Sequence, residues 1–193
     1  MATAQSWEAG FPPEVAALLG AQAELQLAIV EHKVALPGAG PPAQCDVFAL
    51  VHADGRDMAV AVEAKVAEPF DRTLGEWLAA GGDNRRRRLA ALCGWLGLDA
   101  PAADLRYQLV SRTAAAVAEA RRFRRPVAAM VVQSFSPHDA WFDDFAAFCA
   151  ALGCPAPQPG EAVETVLPEG LALRLGWARG DPAHLEEGGA WTG

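Results

Sequence analysis

Two apolar runs, Cys45–Ala53 (CDVFALVHA) and Met58–Val66 (MAVAVEAKV), flank the dipeptide Asp54-Gly55. Asp-Gly between short apolar runs favours a two-residue type I′ turn, so the pattern predicts a β-hairpin. That turn also fixes the register. Val47 is expected to face Val62, Ala49 to face Val60 and Val51 to face Met58 on one side. On the other side Phe48 faces Ala61 and Leu50 faces Ala59, large against small. Both faces are mostly apolar, which predicts strands covered on both sides, as in the middle of an α/β sheet.

The remaining pattern supplies the cover. Pro12-Pro13 open a helix over Glu14 to about Gln22, and Leu25–Leu36 reads as either a helix end or a strand. Thr73-Leu74-Gly75-Glu76 fits a capping box, and Asp83 is placed to cap a helix over Asn84–Leu96 that Gly97 stops. Pro101 is expected to open a long helix from about Ala102 to Phe123. The near-continuous apolar run Val127–Phe135 is then a buried strand, parallel to Met58–Val66 or near it after a right-handed crossover. An amphipathic helix over Asp139–Leu152, a proline-rich loop and a late strand over Leu171–Ala178 follow. The expected fold is α/β, a central mixed sheet of four or five strands flanked by helices. It occupies residues 12–179 as one domain, with a flexible lead over 1–11 and a flexible tail over 180–193.

Charge and composition narrow the classes. The net charge of -8, from 24 acids and 16 bases, leaves no overall positive field for a histone-like binder. Local phosphate contacts stay open, because screening acts over about 8–10 Å. Fourteen of the bases are arginine and only Lys33 and Lys65 are lysine, so lysine carries the more specific signal. The four cysteines show no C-x-x-C spacing and read as buried thiols. With no signal-peptide pattern and no apolar stretch of about 18 residues, a cytoplasmic protein without a membrane partner is expected.

The hairpin register, carried one step further, sets Asp46 opposite Glu63 with Lys65 two residues on along the same face. Two carboxylates about 5 Å apart repel by about 3 kcal/mol at an effective dielectric near 20. A purely structural sheet avoids like charges so placed. A divalent cation between them reverses the sign, and hard oxygen ligands suit Mg²⁺, or Mn²⁺. Lys65 then stands ready to orient a water or neutralise charge on a phosphate. Without a cation, one carboxylate is expected to have a raised pKa, and neutralising Asp46 or Glu63 is expected to hold or raise stability. A structural Glu63–Lys65 ion pair predicts the opposite.

Asp46, sixteen intervening residues and Glu63-Ala64-Lys65 resemble the D-(x)n-(D/E)-x-K signature of the PD-(D/E)xK nuclease superfamily, with Cys45 where its proline usually stands. The longer strings EHKVALPG, AVEAKVAEPFDRTLGEWL and LRYQLVSRTAAAVAEA look like a bacterial family of uncharacterised proteins assigned to that superfamily. The resemblance covers about residues 25–180 and implies the restriction-endonuclease-like fold. It implies Asp46 and Glu63 as metal ligands and Lys65 as the catalytic lysine, with Glu31, or Glu24 behind it, as an added acid and Gln108 as an added catalytic residue. The function it implies is Mg²⁺-dependent hydrolysis of nucleic acid, DNA first. The alternative is a nuclease-like module that binds or regulates without cutting, and a third reading is a hydrolase of a small phosphorylated substrate.

Other residues carry less. Gln108 lies in a polar stripe with Asp104, Arg112 and Glu119, which a solvated helix face would also explain. Glu68 and Asp71 could support the site or simply belong to a helix-entry loop. Arg85–Arg88 with Arg121, Arg122, Arg124 and Arg125 could form a phosphate rim, or be solvated. His52, His138 and Ser136 lack the partners of a triad, and the six tryptophans show no basic-aromatic rhythm.

Overall fold

In a computed structural model, which describes residues 2–186, the predicted hairpin is the middle of a larger sheet. The chain order is α1 (Ala2–Glu8), α2 (Pro13–Leu19), β1 (Glu24–Val34), β2 (Ala43–Ala53), β3 (Arg56–Lys65), α3 (Leu74–Ala79) and α4 (Asp83–Leu96). There follow α5 (Tyr107–Arg122), β4 (Val127–Ser134), α6 (Phe142–Ala151), β5 (Ala162–Val166), β6 (Ala172–Arg179) and α7 (Ala183–Glu186). The expected α/β class holds, with six strands rather than four or five, in the order β1-β2-β3-β4-β6-β5. The β3–β4 and β4–β6 pairs are parallel and the other three antiparallel. No helix among the described residues is long and apolar enough to cross a membrane.

The hairpin forms as its turn requires. Asp54 and Gly55 have φ of 52° and 70°, the two left-handed residues of a type I′ turn. Val47 faces Val62, Phe48 faces Ala61, and every pair between them and Ala53–Arg56 follows the expected register. One face of the sheet packs under α4, α5 and α6 around Phe48, Met130, Phe145 and Trp177; the other packs under α1 and α2 around Val15, Leu19, Val60 and Val131. β4 lies parallel to β3, from Met58 beside Val127 to Lys65 beside Ser134.

Several boundaries differ for physical reasons. The lead expected to be loose forms α1, whose Trp7 is buried on the sheet and donates to the Gln133 side chain at 3.2 Å. Leu25–Leu36 resolves to an edge strand, because β2 offers it a backbone ladder. Asp83 is the first residue of α4 and pairs with Arg86; Gly82 holds the cap position without a side-chain bond. The long helix starts at Tyr107, not near Ala102. Its lead is tied down because the carbonyls of Ala103 and Leu105 accept from Gly75 and Leu74 at the start of α3. Likewise α6 starts at Phe142, after the left-handed residues Asp139 and Trp141. β5 lies where a loop was expected; only Val163 in it is buried, so no alternating pattern marked it. In the expected tail, residues 183–186 form α7, and 187–193 lie outside the described residues.

A side chain at Gly55 would meet nothing within 4 Å, so Gly55→Ala isolates the backbone cost of its positive φ. It should lower stability by about 1–2 kcal/mol in urea denaturation, without a change of fold by circular dichroism.

Candidate functional site

The β2–β3 ladder ends at Val47–Val62, one pair before the acids. Beyond it Asp46 replaces a ladder acceptor with its own side chain: Oδ2 accepts from the Ala64 backbone N–H at 2.7 Å. This keeps Asp46 beside Glu63 although no backbone pair joins them. Glu63 and Lys65 follow Ala59 and Ala61 on the face covered by α5, and both are buried. Asp46, Glu63 and Lys65 border one open cavity of about 290 Å³, with Glu31, Glu68 and Thr3 on its rim.

Glu63 is held on every side. Its Oε1 accepts from Lys65 Nζ at 3.2 Å and from the Gln108 amide, and its Oε2 accepts from Arg112 Nε at 2.6 Å. Gln108 in turn accepts from the Asp71 backbone N–H at 3.2 Å, which fixes its amide. Burial opposes the charge on Arg112, but the charge and hydrogen bond of Glu63 outweigh it and set the guanidinium pKa above its ordinary value. The Lys65 ammonium also lies 5.2 Å from the centre of the Phe70 ring.

Asp46 is in the opposite condition. Burial and then the neighbouring Glu63 push its carboxyl up to about 6, against the smaller effects of the Ala64 N–H, Arg112 and Lys65. The raised carboxylate expected of the pair is therefore Asp46. The thiol of Cys45 is pushed up to about 12, by burial first, and stays protonated.

Of the other expected site residues, Gln108 joins the cluster and Glu31 reaches its edge. Glu31 lies between Val30, paired with Val47, and His32, paired with Cys45, so its ladder position faces Asp46. Its φ of 54° takes it out of the ladder, and its carboxylate accepts from the Gln44 amide instead. Glu24, across from His52 at the far end of β1, stays apart. Glu68 borders the cavity, but its carboxylate accepts from the Val66 and Ala67 backbone N–H groups. Among the described residues no three His, Cys, Asp or Glu side chains stand together as a metal cage.

Three members of the polar stripe, Gln108, Arg112 and Glu119, face the sheet rather than solvent. Arg112 reaches Glu63, and Glu119 is buried 3.6 Å from His32, whose ring stacks on Phe48. Asp104 precedes the helix and is exposed. The role of Arg112 was marked in the sequence only by its spacing, one turn from Gln108 in the stripe. Nothing in the chain marked His32. Of the arginines that could form a phosphate rim or be solvated, Arg121 pairs with Glu169, Arg122 with Glu119 and Arg125 with Asp57.

The two acids have different partners and should therefore respond differently to neutralisation. Glu63→Gln strands Lys65 and Arg112 and should cost about 3–5 kcal/mol. Asp46→Asn retains an acceptor for Ala64 and should hold or raise stability. The folded state holds the Asp46 proton up to about pH 6, so by linkage the Asp46 contribution to wild-type stability falls as pH rises from about 4 to 6. The advantage of Asp46→Asn should grow over that window by up to about 3 kcal/mol and then stay level. Denaturant titrations at several pH values measure it. At the rim, Glu31→Gly should gain up to about 1 kcal/mol by relieving its left-handed backbone.

No curated protein and no solved structure matches the chain. A family model described as "Domain of unknown function (DUF6946)" matches residues 1–182, nearly the whole sequence, so the chain belongs to the DUF6946 family.

Proposed function

We propose that this protein is a Mg²⁺- or Mn²⁺-dependent nuclease that hydrolyses phosphodiester bonds of nucleic acid, DNA first. The observation that carries the reading is the convergence of Asp46, Glu63 and Lys65 on one cavity at the end of β3. A sheet that gains nothing from two adjacent acids keeps one of them with a pKa near 6. The D-(x)n-E-x-K resemblance supports the same assignment.

The donor set fits a hard cation. Asp46 has Oδ1 beside its bonded Oδ2, Glu63 adds a second carboxylate, and Mg²⁺ commonly takes one or two carboxylates and keeps its remaining waters. A cation held by Asp46 and Glu63 would supply Lewis-acid polarisation of a phosphoryl oxygen and acidification of a bound water. The chain's own residues prepare the place. Gln108 and Arg112 orient Glu63, and Lys65 sets a buried positive charge where negative charge grows on the phosphate.

One observation favours a second reading, a non-cutting binding module. Arg112 already neutralises Glu63 from the side away from Lys65, which lessens the need for a cation.

Plasmid and single-stranded DNA incubated with Mg²⁺, with Mn²⁺ and with EDTA separate the two. The nuclease reading expects metal-dependent cleavage that Lys65→Ala lowers by at least about 100-fold. Calorimetry should show cation affinity rising about tenfold per pH unit below about pH 6 and levelling above it, because the cation displaces the Asp46 proton. Absence of both cleavage and cation binding leaves the module reading.

A further inference from the structure

We infer that a second site, on the far side of Arg112 from the carboxylate cavity, binds a phosphoryl group. A separate pocket of about 200 Å³ lies between the Ala39–Ala43 loop and helices α3, α4 and α5. Its working side chains are Trp77, Arg85, Arg88, Tyr107, Ser111 and Arg112, and no acid is among the residues that line it. Three guanidinium groups thus share one space, where like charges repel and an anion would relieve them.

Arg88 turns this from a charged patch into a built site. It is 4% exposed in the middle of α4, and its Nη2 donates to the Pro41 carbonyl at 2.8 Å. Its Nε and Nη1 are buried with no hydrogen-bond partner among the described residues. A buried cation left with two idle donors is costly, and an oxyanion in the pocket that Arg88 lines would relieve it by accepting from one of them. The loop closes tightly over it. Gly38 has φ of 84°, and a Cβ there would come within 3.1 Å of the Arg88 Cα.

The neighbours add to this. Arg85 donates to the Trp77 carbonyl at 2.6 Å and lies 5.1 Å from the centre of the Trp77 ring, which stacks on Tyr107 at 3.9 Å. The aromatic pair thereby holds one cation at the pocket wall. Arg112 uses Nε for Glu63 while lining the pocket. The Ser111 hydroxyl donates to the Gln108 carbonyl, so the guanidinium groups, with Tyr107 beside them, carry the recognition. A doubly charged phosphoryl group matches this excess of positive charge better than a carboxylate does.

The inference does not depend on the carboxylate cluster cutting anything. Its probe is inorganic phosphate, titrated into the full chain while the arginine Nε–H and tryptophan indole resonances are followed by NMR. The expected result is a saturable shift of Arg85, Arg88 and Trp77 signals that chloride at matched ionic strength does not reproduce. Arg88→Met should weaken phosphate binding at least about tenfold, and Arg85→Gln at least about threefold. Should Arg88→Met fail to fold, Arg85→Gln decides alone. Asp46→Asn should retain phosphate binding, so failure of the nuclease reading and of this one are separable. Absence of saturation, an equal response to chloride, or affinity unchanged in Arg85→Gln overturns the proposal. The source follows from two further titrations, either of which upholds a phosphoryl site. A 5′-phosphorylated oligothymidylate that binds about tenfold tighter than phosphate, and tighter than its unphosphorylated form, assigns the group to a nucleic-acid strand. Thymidine monophosphate binding as tightly as the oligonucleotide assigns it to a small phosphorylated molecule.

Discussion

The structure depends on holding one charge, that of Glu63, at the end of a buried strand. An isolated carboxylate there would be prohibitively costly, so β3 can end in Glu-Ala-Lys only if other elements bring cations and donors to it. Lys65 comes from the same strand face, and Gln108 and Arg112 come from α5, one helical turn apart. That requirement fixes the rotation of α5 on the sheet. Its apolar residues pack on β3 and β4 while Gln108 and Arg112 meet the strand end. Gln108 then bonds the Asp71 backbone, so the connection that follows β3 is positioned by the same interaction.

Asp46 shows what happens without such support. It lies on the same row of the sheet, one strand over, and among the described residues its single direct donor is the Ala64 backbone N–H. Glu63 still raises the pKa of Asp46 after burial has done so, because the Lys65 and Arg112 cations it holds offset only part of the effect. The asymmetry is a division of roles. One acid is fixed and matched, and the other is left in a condition that a hard cation would relieve.

The middle of the sheet was legible because local chemistry decided it. Asp54-Gly55 forces the turn, the turn forces the register, and the register delivers Asp46 to Glu63 without any long-range information. The capping box at Thr73 was legible for the same reason, since both of its bonds lie within four residues. What was not legible depended on partners distant in sequence. α1 exists against the sheet because Trp7 meets Gln133, 126 residues away, and α5 starts late because the chain before it is bonded to α3. In the site, Glu31 could be placed near the acids from sequence, but its departure from the ladder and its bond to Gln44 could not. Arg88 is the sharpest case. Four consecutive arginines look alike in sequence, and only the tertiary packing of α4 under the Ala39–Ala43 loop buries one of them.

Arg112 is where these threads meet, because it lines the second pocket and binds Glu63, which lines the first. Its Nε is committed to Glu63, so the position of its guanidinium plane depends on the state of that carboxylate. Any ligand that draws Glu63 toward a cation loosens this bond and leaves Arg112 freer to serve the pocket beyond. Conversely, an anion that draws Arg112 outward leaves more of the negative charge on Glu63 uncompensated, which favours a cation beside Asp46. The two effects have the same sign, as reciprocity between linked binding equilibria requires. A cation on one side of Arg112 and a phosphoryl group on the other would therefore each strengthen the binding of the other, through a single salt bridge and without any change of fold.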